Sequence, residues 1–204
     1  MNLCVLASGR GSNLNSIINF QKKGKIRSKV ALVISNNSNS NALNIARKYQ
    51  IPAVHLSQKQ YNSEPEFVNA FLETLQKHRI DLIVLAGYMK MVPLDVISTF
   101  KNRIINIHPA LIPSFCGQGF FGMKVHEAVI ESGVKLTGVT VHFVDEVYDN
   151  GPIILQVPVK VKDNDTPETL QKRVLKYEHR SLPEAIKLLE SKKFTVVGRK
   201  VVFN

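Results

Sequence analysis

Asn106 and His108 stand two residues apart in the run Arg103-Ile104-Ile105-Asn106-Ile107-His108-Pro109-Ala110-Leu111-Ile112-Pro113. Ile104, Ile105 and Ile107 read as a buried strand, in which positions 106 and 108 share one face. Pro109 and Pro113 keep that strand from continuing through a sheet interior. A carboxamide and an imidazole are thereby set side by side where a strand ends, the edge at which open α/β sheets bind ligands. Both can donate hydrogen bonds, so the pair suits chemistry in which a carbonyl oxygen becomes negatively charged. Taken alone, such a pattern is more often a turn-capping amide beside a satisfied imidazole. The rest of the chain has to decide between the two.

Three other stretches could contribute. Ser8-Gly9-Arg10-Gly11-Ser12-Asn13 follows an apolar run and precedes Leu14, Ile17, Ile18 and Phe20 at helical spacing. Strand, glycine loop and helix together offer backbone N–H groups to an anion. Leu14 stands where a dinucleotide fingerprint needs a small residue, and no Gly-Lys-Ser/Thr follows, so a single phosphate fits best. Ser12 is also able to cap the helix, and a tight turn plus a cap is the alternative reading. Tyr88-Met89-Lys90-Met91-Val92 either lines an apolar slot for a flat ring or is plain core. Asp145, Glu146 and Asp149 lie in an acidic turn; a carboxylate such as Asp149 near His108 would orient the imidazole and raise its pKa, while turn chemistry alone also explains them.

The elements that must position these residues alternate regularly. Apolar runs at 2–7, 29–35, 52–56 and 81–86 read as strands, with helices over 42–49 and 66–78 between them. That alternation implies a parallel sheet covered by helices. Later come a helix over 124–132, strands over 136–144 and 153–161, a long helix starting at Asp165-Thr166-Pro167-Glu168, and a hairpin around Gly198. In the strand over 136–144, His142 shares a face with Gly138 and Thr140 and reads as a buried support rather than a metal ligand. Gly117, Gly119 and Gly122 among Phe115, Phe120 and Phe121 read either as a mobile cover or as a surface loop.

Composition sets bounds. At 204 residues, 44% hydrophobic and 21% charged, the chain reads as one soluble globular domain. No run approaches membrane-spanning length and the start carries no basic leader. Cys4 and Cys116 lie far apart and fit no disulfide or metal pattern, so a reduced, cytoplasmic setting is expected. The net charge of +11 comes from dispersed Lys and Arg without an RNA-recognition or zinc-finger signature, which favours anionic small molecules over nucleic acid.

Together, Ser8-Gly9-Arg10-Gly11-Ser12-Asn13-Leu14, Ala86-Gly87-Tyr88-Met89, Asn106-Ile107-His108-Pro109 and Val141-His142-Phe143-Val144 with Asp149-x-Gly-Pro resemble the folate-dependent phosphoribosylglycinamide formyltransferase family. The likeness runs from residue 1 to at least Glu178-His179, in the right order and at the right separations. It implies a single-domain, Rossmann-like open twisted sheet over 1–204, mostly parallel with an antiparallel C-terminal part and helices on both faces. Residues 1–100 would hold phosphate, and 85–190 the folate and the chemistry. The implied reaction moves a formyl group from 10-formyltetrahydrofolate, a co-substrate, to the amine of glycinamide ribonucleotide in purine biosynthesis, without a metal. Asn106, His108 and Asp149 would be catalytic; Gly11, Ser12, Asn13, Lys176 and Glu178 would contact the ribonucleotide. Leu85, Met89, Lys90, Met91, Val92, Asn106 and the loop Asp145, Glu146, Val147, Tyr148, Asp149 would contact the folate. Glu64 and Leu175 depart from the family's basic or polar residues there. The resemblance further implies small-molecule substrates, no nucleic-acid or membrane partner, and a monomer or homodimer. Methionyl-tRNA formyltransferase and formyltetrahydrofolate deformylase share the core motif but are expected to carry a further domain.

Overall fold

The computed structural model describes residues 1–204. Packing divides the chain into two units, Met1–Ile105 and Asn106–Asn204.

In the first unit the elements are β1 (Asn2–Leu6), α1 (Ser12–Lys22), β2 (Lys29–Ser35), α2 (Asn41–Lys48), β3 (Ala53–His55), α3 (Glu64–Lys77), β4 (Leu82–Leu85), α4 (Leu94–Thr99) and the opening residues of β5 (Ile104–His108). The strands run β3-β2-β1-β4, all parallel, with Val5 opposite Val33 on one side and Val84 on the other. Their apolar runs are continuous because parallel strands bury both faces: Leu3, Val5, Leu32, Ile34, Ile83 and Val84 are fully covered. Helix starts follow local chemistry. Ser40 Oγ accepts from Ala42 N at 3.2 Å to begin α2, and Ser63 Oγ accepts from Glu66 N at 3.4 Å to begin α3. That Ser63 cap is why α3 opens at Glu64, two residues ahead of the expected start, with Pro65 in its first turn.

The second unit takes the closing residues of β5, then α5 (Met123–Glu131), β6 (Leu136–Phe143), β7 (Ile153–Lys160), α6 (Pro167–Ser191), β8 (Phe194–Val197) and β9 (Lys200–Phe203). Its strands run β6-β7-β9-β8; β6 with β7 and β8 with β9 are antiparallel, whereas β7 and β9 are parallel. The architecture is thus an open α/β sheet, mostly parallel, with antiparallel C-terminal strands and helices around it. Thr166 caps α6 by accepting from Thr169 N, and Arg173 grips Asp165 with both guanidinium nitrogens at 2.5 Å. Glu178-His179, expected late on α6, lies midway. Leu182, Ala185, Ile186 and Leu189 extend its buried face and carry the helix through Pro183 to Ser191. No helix is long and apolar enough to cross a membrane.

Candidate active site

β5 ends at His108 because Pro109 follows, and the turn after it is tied down by polar contacts. Thr140 Oγ1, buried on β6, donates to Ala110 O at 2.7 Å and accepts from Ile112 N at 3.1 Å. Gln156 Nε2 on β7 lies 3.0 Å from both Ile112 O and Thr140 Oγ1. Gly138 makes the close packing possible: a Cβ there would sit 2.3 Å from Val157 O and 2.5 Å from the Leu111 side chain.

On that platform Asn106, His108 and Asp149 come together. His108 Nδ1 lies 3.3 Å from Asp149 Oδ2, and Asn106 Nδ2 donates to Asp149 Oδ1 at 3.2 Å. Asp149 sits beyond the end of β6 with φ +53, and it also accepts from Gly117 N at 3.0 Å. His108 is buried, and its Nε2 stands 2.8 Å from Phe115 O. A carbonyl only accepts, so Nε2 carries the proton. With Nε2–H fixed, a neutral ring would aim its Nδ1 lone pair at the carboxylate, whereas an imidazolium would aim an N–H. Asp149 therefore favours the charged ring.

Burial opposes this and prevails. It pulls the His108 pKa below its ordinary value, against the raising effects of Asp149 and the Phe115 carbonyl, and the nearby His142 adds to the lowering. The expected rise is present as a contribution but not as the net direction, because sequence reveals a charge partner more readily than a depth. Burial also pushes the Asp149 carboxyl up, yet His142, His108 and the Gly117 N–H together hold it below the usual carboxylate range. Behind them His126 is pushed down to about 4 by burial and by His108.

His142 is more than a filler. Its Nδ1 donates to Phe143 O at 2.7 Å, and its Nε2 stands 3.2 Å from Asn106 Nδ2 and 3.6 Å from Asp149 Oδ1. The Asn106–Asp149 contact is at the long end of the normal range, where a stronger acceptor can draw the amide hydrogen away. Alternation along β6 places His142 on the face shared by Gly138 and Thr140, the signal that marked it as a support. The Phe115 carbonyl and Gly117 amide carry no such signal, since backbone groups look alike at every position.

In the first unit, the N-cap of α1 is Gly11 at φ +72, not Ser12, and no side chain caps the helix. A Cβ at position 11 would meet Ala42 Cα and Ile45 Cδ1 at 2.9 Å, so both backbone and space require glycine. An uncapped helix start directs its first-turn amides outward, as an anion needs. Ser8 ties the neighbouring loop: its Oγ donates to Asn36 Oδ1 at 2.5 Å and accepts from Met89 N at 2.8 Å. Met89 and Met91 are largely exposed, which removes the plain-core reading, while Leu85 and Val92 are buried and Lys90 is exposed.

Of the remaining candidates, Asp145 closes its own turn by accepting from Val147 N and Asn150 Nδ2, at 3.0 and 2.8 Å. Glu146, Val147 and Tyr148 are exposed; on α6, Lys176 is exposed and Glu178 half-buried. No group of three or more His, Cys, Asp and Glu side chains is arranged to hold a metal ion.

An imidazole and a carboxamide at the end of one strand, met by a carboxylate from the segment after β6, fit a class of acyl-transfer site, and comparison with known proteins gives the class its family. Residues 1–186 match the formyl transferase family. The chain belongs to that family. It is 42% identical over 189 residues to the chloroplastic phosphoribosylglycinamide formyltransferase of Vigna unguiculata, covering 92% of this chain. It spans only about three fifths of the length of such plant relatives, 60% in that case. The Bacillus subtilis phosphoribosylglycinamide formyltransferase is 36% identical, with 91% of this chain and 92% of that protein covered. Among solved structures, glycinamide ribonucleotide transformylase 1 from Symbiobacterium toebii superposes with a TM-score of 0.92 at 41% identity, covering 100% of this chain and 93% of that one.

Proposed function

We propose that this chain transfers the formyl group of 10-formyltetrahydrofolate to the amine of glycinamide ribonucleotide, a step of purine biosynthesis. The observation that carries the reading is that His108 and Asn106 both reach the Asp149 carboxylate, at 3.3 and 3.2 Å, in a chain of this family. The amine nitrogen attacks the formyl carbon, forming a C–N bond and a tetrahedral oxyanion. Collapse breaks the bond from that carbon to the folate nitrogen, and the proton lost by the amine passes to the departing nitrogen. The His108 imidazolium stabilises the oxyanion, joined by an Asn106 amide hydrogen turned from Asp149. A donor of this kind is worth ~3 kcal/mol in the transition state. Asp149 sustains the imidazolium and relays the amine proton through water.

In the first unit, Gly11, Ser12 and Asn13 hold the ribonucleotide phosphate on the uncapped start of α1. Lys176 and Glu178 contact the same substrate. Leu85, Met89, Lys90, Met91 and Val92 receive the pterin ring together with the loop Asp145–Asp149, in which Glu146, Val147 and Tyr148 offer exposed side chains. On this reading residues 1–100 serve the phosphate, and 85–190 the folate and the chemistry, within one catalytic domain. The enzyme works in the cytoplasm on small molecules, as a monomer or homodimer, with no metal and no nucleic-acid partner. Assays supplying 10-formyltetrahydrofolate with glycinamide ribonucleotide, tRNA or water as acceptor test it. Formylation of the ribonucleotide amine is expected; preferential formylation of tRNA or release of formate would overturn it.

A further inference from the structure

Asp149 has to be held where it is, and its own segment does only part of the holding. Its φ of +53 costs a non-glycine residue about 1 kcal/mol, and such a conformation persists only where the surroundings enforce it. Glu146, Val147 and Tyr148 before it are exposed and supply little packing. The segment is fixed at Asp145, whose carboxylate accepts from Val147 N and Asn150 Nδ2, and at Gly151, whose Cβ position would lie 1.9 Å from Phe143 O.

A third hold comes from far along the sequence. Arg199 Nη1 donates to Asn150 Oδ1 at 2.8 Å, directly beside Asp149. Arg199 lies in the turn between β8 and β9, and the parallel pairing of Ile153 with Lys200 brings that turn alongside the start of β7. The hairpin is itself anchored to β6: the Phe194 ring stacks on Phe143 at 5.4 Å, and Phe203 closes on Phe194 at 6.2 Å. Phe143 is the residue after His142. The hairpin, Phe194 to Phe203, lies beyond residue 186, outside the part of the chain that matches the family.

We propose that Arg199 is a positioning residue for Asp149: the C-terminal hairpin clamps the acidic segment through Asn150 and so keeps the carboxylate on His108. The proposal rests on the catalytic role assigned to Asp149 under the proposed function. Arg199 could instead act only through its charge, which reaches Cys116 and favours its thiolate. The two mechanisms move His108 in opposite directions. His108 is faced by Asp149, His142, His126 and the Phe115 carbonyl, and Asp149 by His108, His142 and the Gly117 amide. Loosening Asp149 removes the carboxylate that favours the imidazolium, so the ring titrates lower. Deleting a remote cation makes it titrate higher.

The test follows the His108 ring by NMR in the full-length protein carrying labelled histidine, for wild type, Arg199→Ala, Arg199→Lys, Asn150→Ala and the double alanine variant. Arg199→Ala and Asn150→Ala should each titrate lower, the double variant no lower than Asn150→Ala alone, and Arg199→Lys should recover much of the difference. Under the formyl-transfer assay, kcat of Arg199→Ala should fall about tenfold while KM for each substrate and the unfolding midpoint stay near wild type. An unchanged or higher His108 titration in Arg199→Ala, or additive effects in the double variant, would overturn the proposal. If wild type formylates no ribonucleotide, the proposed function fails while the titration still decides the clamp.

Discussion

Replacing Asp149 by Asn removes a charge while keeping size and hydrogen-bonding capacity, so it isolates the electrostatic link to His108. His108 Nδ1 and Asp149 Oδ2 stand 3.3 Å apart. At an effective dielectric constant of about 20, their attraction is roughly 5 kcal/mol. That is an upper figure, because the replacement amide keeps a dipole beside the ring. Even half of it, about 2.5 kcal/mol, is nearly a hundredfold in the protonation equilibrium of the imidazole. The sign is definite. Burial already holds the His108 pKa below its ordinary value with the carboxylate helping against it. Losing the carboxylate drives the pKa further down, so the imidazolium on which the proposed mechanism depends becomes scarcer at every pH above it. The assay is kcat/KM for formyl transfer across pH 5–9. In Asp149→Asn, the fall of activity with rising pH should begin at lower pH, with a loss of about 10²–10⁴ at neutral pH. A profile like wild type, or a limb moved to higher pH, would refute the reasoning.

Gly138→Ala should cost about 1–3 kcal/mol or more, read as a lowered urea midpoint at unchanged m, because its Cβ meets the Val157 carbonyl and Leu111. Gly11→Ala should raise KM for the ribonucleotide with kcat less affected, since the new Cβ strains a left-handed turn and collides with Ala42 and Ile45; an unchanged KM would count against the anion loop. Asp165→Ala should cost about 1.5–3 kcal/mol by breaking the bidentate contact with Arg173. Arg173 holds the folded Asp165 carboxyl well below its usual range, so this stabilisation is complete above the ordinary carboxylate pKa and fades as pH falls through the depressed one. The difference in unfolding midpoint between Asp165→Ala and wild type should therefore shrink in acid.

Much of the fold was legible because buried parallel strands write continuous apolar runs. Val30 to Ile34 and Leu82 to Leu85 are strands with nearly every residue covered. Asn106 and His108 were legible for the same reason, since the isoleucines around them fix the strand and Pro109 fixes its end. Ser12 misled because an N-terminal serine before an apolar period is a good cap by type; the close approach of α2 to Gly11 is a tertiary fact. Arg199 was hidden for a similar reason. Only the pairing of Ile153 with Lys200 brings it beside Asn150, and no spacing rule reports a register between strands so far apart. The direction of the His108 pKa depended on how deeply the ring is covered, which residue type does not reveal. Exposure of Met89 and Met91 likewise emerged only from the folded chain, since methionine beside an aromatic is common in cores.

The central claim is that His108, paired with Asp149, stabilises the oxyanion formed when the ribonucleotide amine attacks the formyl carbon. Single-turnover formyl transfer by His108→Ala, with its unfolding midpoint measured alongside, tests this most directly. A fall of about 10²–10⁴ in rate with a near wild-type midpoint is the expected result. Transfer at close to the wild-type rate by a folded His108→Ala protein would contradict it.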